Sequence, residues 1–339
     1  MLKKLLILSA AAFLCLPVIA SAAQVSLFVG KVTLLRDGKK TPVRVGNKLH
    51  TGDVIKTGKD SLMEIKDNIG GTIKILAMSI MTIGSKKIAG SDSLSLIMGD
   101  LSAMFTKLKR GSTKIYSPTT IAAVRGTEFT MSVSSGGDAR IDLKAGLVDV
   151  SSPYGATSIR ENENVETRVG EAPRPGSGTA EEWKKASEES FTQNPGAKAQ
   201  DTEKYLETLD ERGKETDSSM ITVRSSIESA ANKEALEKLE SLLNNTEEKT
   251  KDDLILNESL GESLKNTMEN FKEKNETLYS RYRSIYVKSN RVAAQQQKNL
   301  ESLKKVRQEY QKARQRIMGR YKDKIDEIKT KFKDKKSNI

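Results

Sequence analysis

Between residues 24 and 170, apolar and polar positions alternate in short runs. Val25-Leu27-Val29, Val32-Leu34, Met63-Ile65, Ile73-Ile75, Phe129-Met131-Val133, Ile141-Leu143 and Val148-Val150 each place every second side chain on one face. Gly, Asp and Asn clusters separate these runs at intervals of about ten residues, the spacing of many short strands joined by tight turns. The pattern predicts an all-β domain over 24–170. It leaves open whether the strands form a sandwich, a barrel or a solenoid.

The pattern changes twice further on. Residues 171–200 carry Pro173, Pro175 and Pro195 among Gly and Ser, and read as a linker. Within it Trp183, the single tryptophan, suits a helix anchor better than a ligand-stacking platform. No proline follows Pro195, and helix formers dominate 201–335. An apolar stripe runs Leu303, Val306, Tyr310, Ala313, Ile317, Tyr321, Ile325, Ile328, Phe332, at steps of three and four. A thinner one runs Leu236, Leu239, Leu243, Leu260, Leu264, Met268, Phe271, Leu278, Tyr282, Ile285, Val292. Stripes this narrow predict a long coiled-coil or helical-hairpin tail, with Gly261 or Asn257 as the bend of a hairpin. The fold class expected is thus segregated: all-β first, then α-helical.

The N-terminus reads as an export signal. Lys3 and Lys4 precede an apolar run from Leu5 to Leu16, Pro17 breaks it, and Ala20-Ser21-Ala22 is a small-x-small cleavage pattern. Residues 1–22 are therefore expected to be removed, placing the chain in the periplasm or cell envelope. Cys15, the only cysteine, lies inside the removed segment. No later stretch is apolar enough to span a bilayer.

Charge sharpens the picture of the tail. The whole chain of 339 residues carries a formal charge of +12, which favours anionic partners. Residues 201–280 hold 11 Lys/Arg against 20 Asp/Glu, whereas 281–339 hold 19 against 6. One reading pairs the acidic half with the basic half, in a hairpin or an antiparallel dimer. The other reserves basic residues for an anionic cell-wall polymer or lipid head groups, with Arg281, Arg283, Arg314, Arg316, Arg320 and Lys322 as candidate contacts. Tyrosines in this basic stretch follow the helical stripe and not a base-stacking pattern, and export argues further against nucleic acid.

Catalytic chemistry has little to work with. His50 is the only histidine, and without a mature cysteine no soft-metal site can be assembled from the usual ligands. The nucleophile-elbow and phosphate-loop motifs are absent. No enzyme activity, metal or cofactor is expected.

An ordered set of motifs in the β half resembles the FecR domain family. Gly30-Lys31-Val32 opens it, followed by Val45-Gly46-x-x-Leu49-x-x-Gly52-Asp53-x-Ile55-x-Thr57-Gly58 and Ser61 to Ile65. Leu96-x-x-Gly99-Asp100-Leu101, Ser117-Pro118, Val124-Arg125-Gly126-Thr127-Glu128-Phe129 and Leu143-x-x-Gly146-x-Val148-x-Val150 complete it. Gly46, Gly52, Asp53, Gly58, Gly126, Thr127 and Gly146 read as fold-determining turn residues. The resemblance implies a compact, solenoid-like β domain for protein or ligand contacts. Family members often regulate an extracytoplasmic sigma factor from behind a transmembrane helix, whereas this chain opens with a cleavable signal. Two functions are therefore expected as alternatives. One is a non-enzymatic envelope protein that uses the β domain for protein or glycan contacts and the tail for self-association or anchoring. The other is a periplasmic signalling component working with a separate membrane partner.

Overall fold

The computed structural model describes residues 23–67, 70–88, 90–105 and 113–337, with side chains as far as 330. The expected signal sequence and Cys15 lie outside these residues. Among them the chain forms seventeen strands and then four helices. β1 (Ala23–Val29), β2 (Val32–Arg36), β3 (Lys39–Thr41), β4 (Lys48–Leu49), β5 (Val54–Thr57), β6 (Leu62–Asp67), β7 (Gly71–Ile75) and β8 (Ile80–Ile83) lead to the long β9 (Leu94–Phe105). β10 (Thr113–Tyr116), β11 (Ile121–Val124), β12 (Glu128–Val133), β13 (Ala139–Ala145), β14 (Leu147–Ser152), β15 (Gly155–Arg160), β16 (Asn164–Thr167) and β17 (Arg174–Pro175) follow. The segregated β-then-α architecture is the one the residue pattern predicts.

The strands form two open ladders that share β9. The first sheet runs β4-β1-β6-β7-β9-β12-β13-β16-β17. The second runs β3-β2-β5-β8-β9-β10-β11-β14-β15. All pairings are antiparallel except β9–β10. The chain crosses between the sheets by one device used twice. β5 and β8 pair in the second sheet while the β6–β7 hairpin between them lies in the first. β11 and β14 enclose the β12–β13 hairpin in the same way. The inward residues of both sheets make one core, with Met63, Ile65, Ile73, Ile75, Leu101, Ala103, Phe129, Met131, Ile141 and Leu143 from the first and Leu34, Ile55, Met81, Leu96, Val148 and Val150 from the second. This is the period-two alternation read from the sequence, with both sheets contributing to one interior; it fails at Leu27 and Val29, 45 and 55% exposed, because a bulge after Val25 shifts the register.

Where the composition suggests a linker, the chain forms α1 (Ala180–Gln193). Its start is a capping box: the Glu182 amide donates to Thr179 Oγ1 (3.2 Å) and the Thr179 amide to Glu182 Oε2 (2.8 Å). Trp183 is buried in the first turn. The residues before the cap are pinned by Arg140, which is 1% exposed. Its guanidinium donates to Asp142 (2.8–3.1 Å), to Glu166 Oε1 (3.0 Å) and to the carbonyls of Ser177 and Gly178 (both 2.9 Å).

The tail is neither one rod nor a hairpin. α2 (Pro195–Ser229), α3 (Lys233–Phe271) and α4 (Glu276–Ser337) pack as an up-down-up three-helix bundle, with α3 antiparallel to the other two. The reversals fall at 230–232, where Asn232 caps α3, and at 272–275. Gly261 and Asn257, the expected bend, lie buried inside α3. A mid-helix glycine costs only about 1 kcal/mol against alanine, and the helix carries it through: a Cβ at Gly261 would meet Ser289 Oγ on α4 at an ordinary contact distance of 3.6 Å. The two stripes close on each other as Leu236, Leu239 and Leu243 meet Leu303, Val306, Tyr310 and Ile317.

Candidate interaction surfaces

The turn residues come first. Gly52 sits at φ +89°, where a side chain would be strained. The next residue, Asp53, is 1% exposed, accepts the His50 amide (2.8 Å) and takes a bidentate contact from Arg36 at 2.8 and 2.7 Å. That hydrogen bond holds the Arg36 guanidinium above its ordinary pKa. Gly46 turns at φ +87° between β3 and β4. The Gly58 amide donates to Lys31 O (2.9 Å), and Gly126 occupies the matching crossing between β11 and β12. Gly146, at φ +98°, faces it so closely that a Cβ would lie 2.6 Å from Gly126 O. Thr127 is buried, and its carbonyl accepts the Phe105 amide at 2.8 Å. These groups spend their hydrogen bonds inside the fold, on its backbone and on Arg36. Among the described residues no cluster of His, Cys, Asp and Glu could hold a metal ion.

The largest feature not read from the sequence is that the bundle docks on the second sheet. Asp252 of α3 accepts from the Tyr116 hydroxyl (2.7 Å) and from Lys114 Nζ (2.8 Å), which also reaches Glu248 (2.7 Å). Beside them Tyr116 and Ile121 form an apolar cluster with Ile255 and Leu256. The neighbouring carboxylate, Asp253, turns the other way and pairs with Arg212 of α2 at 2.7 Å. Arg212 in turn reaches Pro153 O (3.4 Å), and Tyr154 hydrogen-bonds Thr208 (3.0 Å). Ion pairs Lys198–Asp138 and Lys184–Asp100 close the β side onto α2 and α1. Burial, reinforced by the Asp252 charge, pushes the Tyr116 hydroxyl well above its ordinary pKa, so it remains a donor. Nothing in residues 248–256 marks them locally, since their partners stand some 136 positions away.

A polar seam runs through the bundle behind this contact. Asn257 Nδ2 donates to Ser289 O (3.1 Å) and to Gln296 Oε1 (3.2 Å), and Ser289 Oγ donates back to Asn257 Oδ1 (2.7 Å). Asn299 donates to Gly213 O (2.8 Å). Such buried amides fix helix register, because a slip leaves them unpaired. Glu258 lies next to the seam, against the loop after β8. Burial raises its pKa despite hydrogen bonds from Ser85 and Lys87. An acid whose folded-state pKa is raised weakens the fold above that pKa and costs nothing below its unfolded value. Glu258→Gln should therefore stabilise the chain at pH 7, and the gain should vanish in urea melts at pH values below the ordinary glutamate range.

The six basic candidates part into two groups. Arg281 pairs with Glu203 (3.5 Å) and Arg314 with Glu240 (3.9 Å), so both face the bundle's own acids. Lys288–Glu207 and Arg307–Glu247 extend the same acid-to-base complement across α4 (2.9 and 2.8 Å). Arg283, Arg316, Arg320 and Lys322 are exposed, and no ion pair engages them among the described residues.

The outer face of the first sheet is covered at one end, where α1 and the residues before it close over Asp100, Ser132, Arg140 and Glu166, and is open beyond them. A row of directly opposed residues crosses five strands: Glu64 on β6, Lys74 on β7, Ser102 on β9, Thr130 on β12 and Asp142 on β13. Ser26 Oγ extends the row by donating to Glu64 Oε1 (2.8 Å). Met104 is 52% exposed on the same face. Near Thr130 and Asp142 lies a shallow depression of about 390 Å³, also lined by Glu128, Lys144 and Asn162.

Two crystal structures titled "putative anti-sigma factor" from Parabacteroides distasonis ATCC 8503, at 1.65 and 2.50 Å, are similar to this chain. Each is 12% identical, with a TM-score of 0.33, over 38% of this chain. The match spans 61% of each of those chains. No curated protein matches. Among the described residues no helix is long and apolar enough to cross a membrane. The family model described as FecR protein matches residues 53–149, from Asp53 through the paired hairpins to β14, and the chain therefore carries a FecR domain.

Proposed function

We propose that this is an exported, non-enzymatic regulatory component of the cell envelope that presents one face of its FecR domain to a protein or glycan partner. The observation that carries the reading is the unequal treatment of the two sheets. The helical bundle covers the second sheet through Tyr116, Ile121, Ile255 and Asp252. The polar row from Glu64 to Asp142 on the first sheet leaves Lys74 and Thr130 exposed and Glu64, Ser102 and Asp142 half-buried. A fold whose motif turns hold the fold itself together, and whose sole histidine stands apart from any nucleophile motif, offers a surface and not a reaction centre. The FecR domain favours signalling with a separate membrane partner as the setting in which that surface works.

The test is site-specific photo-crosslinking in cells of origin. A photoreactive residue at Thr130 or Lys74 should form a discrete adduct that Ser102→Arg reduces at least tenfold. The same probe at Ser95, under the bundle, should form none. Adducts that concentrate at Ser95, or that ignore Ser102→Arg, would remove the open face as the contact surface.

A further inference from the structure

α4 outlasts the bundle that supports it. The apolar cluster of the distal bundle ends with Ala230, at the α2–α3 reversal, and with Ile317 on α4, which is 1% exposed. The helix continues to Ser337, a further length of about 30 Å at 1.5 Å per residue. From Arg320 to Thr330 every side chain is exposed. The stripe nevertheless persists without a partner: Tyr321, Ile325 and Ile328 are 41, 51 and 53% exposed. Spaced by four and three residues, they stand in one row along the helix.

The charges around that row are sorted. At about 100° per residue, Arg320, Lys322, Lys324 and Lys329 fall roughly 65–105° to either side of the row's centre. The acids Asp323, Asp326 and Glu327 fall roughly 125–165° away, on the opposite side of the helix. Lys329 pairs with Asp326 at 3.9 Å, with both groups exposed. Arg320, Lys322 and Lys324 have no ion pair among the described residues.

This order selects the occupant. A second copy of the helix laid along the row would bring flanking lysines against flanking lysines, the arrangement that disfavours a coiled-coil partner. A globular protein would not need both flanks to be basic. A bilayer with anionic head groups matches each sector. The apolar row enters the acyl boundary, the long basic side chains bury their stems and reach back to phosphates, and the acids stay in water. We propose that the projecting end of α4 lies along an anionic lipid surface and holds the FecR domain beside a membrane without spanning it. This goes beyond the proposed partner contact and depends on different residues.

The experiment is co-sedimentation of the mature full chain with vesicles of phosphatidylcholine alone or with about one third phosphatidylglycerol, together with sedimentation velocity. Binding should appear on the anionic vesicles, be at least tenfold weaker on the neutral ones, and weaken as salt rises. The pair Ile325→Asn and Ile328→Asn should reduce it at least tenfold while leaving the thermal midpoint unchanged, because both side chains are already in water. Lys214→Gln with Lys238→Gln, which removes two positive charges from exposed sites on α2 and α3, should bind as the parent does. Three results would overturn the proposal. They are no binding to anionic vesicles, binding that survives the isoleucine changes but follows total charge, and a dimer that the isoleucine changes dissociate.

Discussion

Arg140→Met should cost the folded chain about 3–5 kcal/mol, the range for removing one partner of a buried ion pair. The magnitude follows from what is left behind. Glu166 is 3% exposed and would lose its closest cation. Arg174, at 3.5 Å and half in solvent, compensates only in part. The carbonyls of Ser177 and Gly178 lose their donor, which loosens the entry to α1. Urea titration followed by Trp183 fluorescence measures the loss. Adding Glu166→Leu to Arg140→Met should recover a large share of it, since the stranded charge is then gone. A single variant within about 1 kcal/mol of the parent would mean that the clamp contributes little.

Ile255→Asp should separate the two halves of the molecule. Ile255 is 6% exposed, in the apolar contact with Tyr116 and Ile121, and a carboxylate there would also stand one helical turn from Asp252. Burying an unpaired charge costs several kcal/mol, and the chain can escape that cost by undocking. Trp183 fluorescence reports the β side, to which α1 is tied by Lys184–Asp100 and by the Ser135 amide on Glu188 (2.7 Å). Far-UV circular dichroism reports mainly the helices. In the parent the two transitions should coincide; in the variant they should part, with the β transition at lower urea. Coincident transitions in the variant would show that this contact does not couple the halves.

What could be read from the residues alone was local. The alternation at Met63-Ile65 or Phe129-Met131-Val133 faces the core because a strand's period of two is a property of neighbours. Which of two sheets each strand joins is not, and the twice-used crossing emerges only from pairings such as Ile55 with Met81 and Ala123 with Asp149. The helix in 171–200 did leave a local signal, Thr179 three residues before Glu182, but the surrounding prolines and glycines outweighed it. Gly261 misled in the opposite sense, since burial of α3 against α4 and the seam at Asn257 overrode its weak helix-breaking tendency. The stripe on α4 shows a different limit. Its period is the same at Tyr310 and Ile317, which are buried, as at Ile325 and Ile328, which are not. Periodicity names the apolar face, and only the position of the reversal at 230–232 says where the partners stop. The fold-motif glycines were legible as turns, whereas Arg140 and Asp252 were not, because each gains meaning from residues distant in the chain.

The docking of the bundle on the FecR domain is tested most directly by zero-length carbodiimide crosslinking of the dilute chain from residue 23 onward, read by peptide mass spectrometry. Lys114 Nζ lies 2.7 Å from Glu248 and 2.8 Å from Asp252, so a peptide joining Lys114 to one of these acids is expected within a single chain. An equal mixture of light and heavy isotopic chains should yield it without mixed-mass products. Crosslinks confined to either side of residue 176, with Lys114 joined to neither acid, would contradict a docked molecule and return the helices to an independent tail.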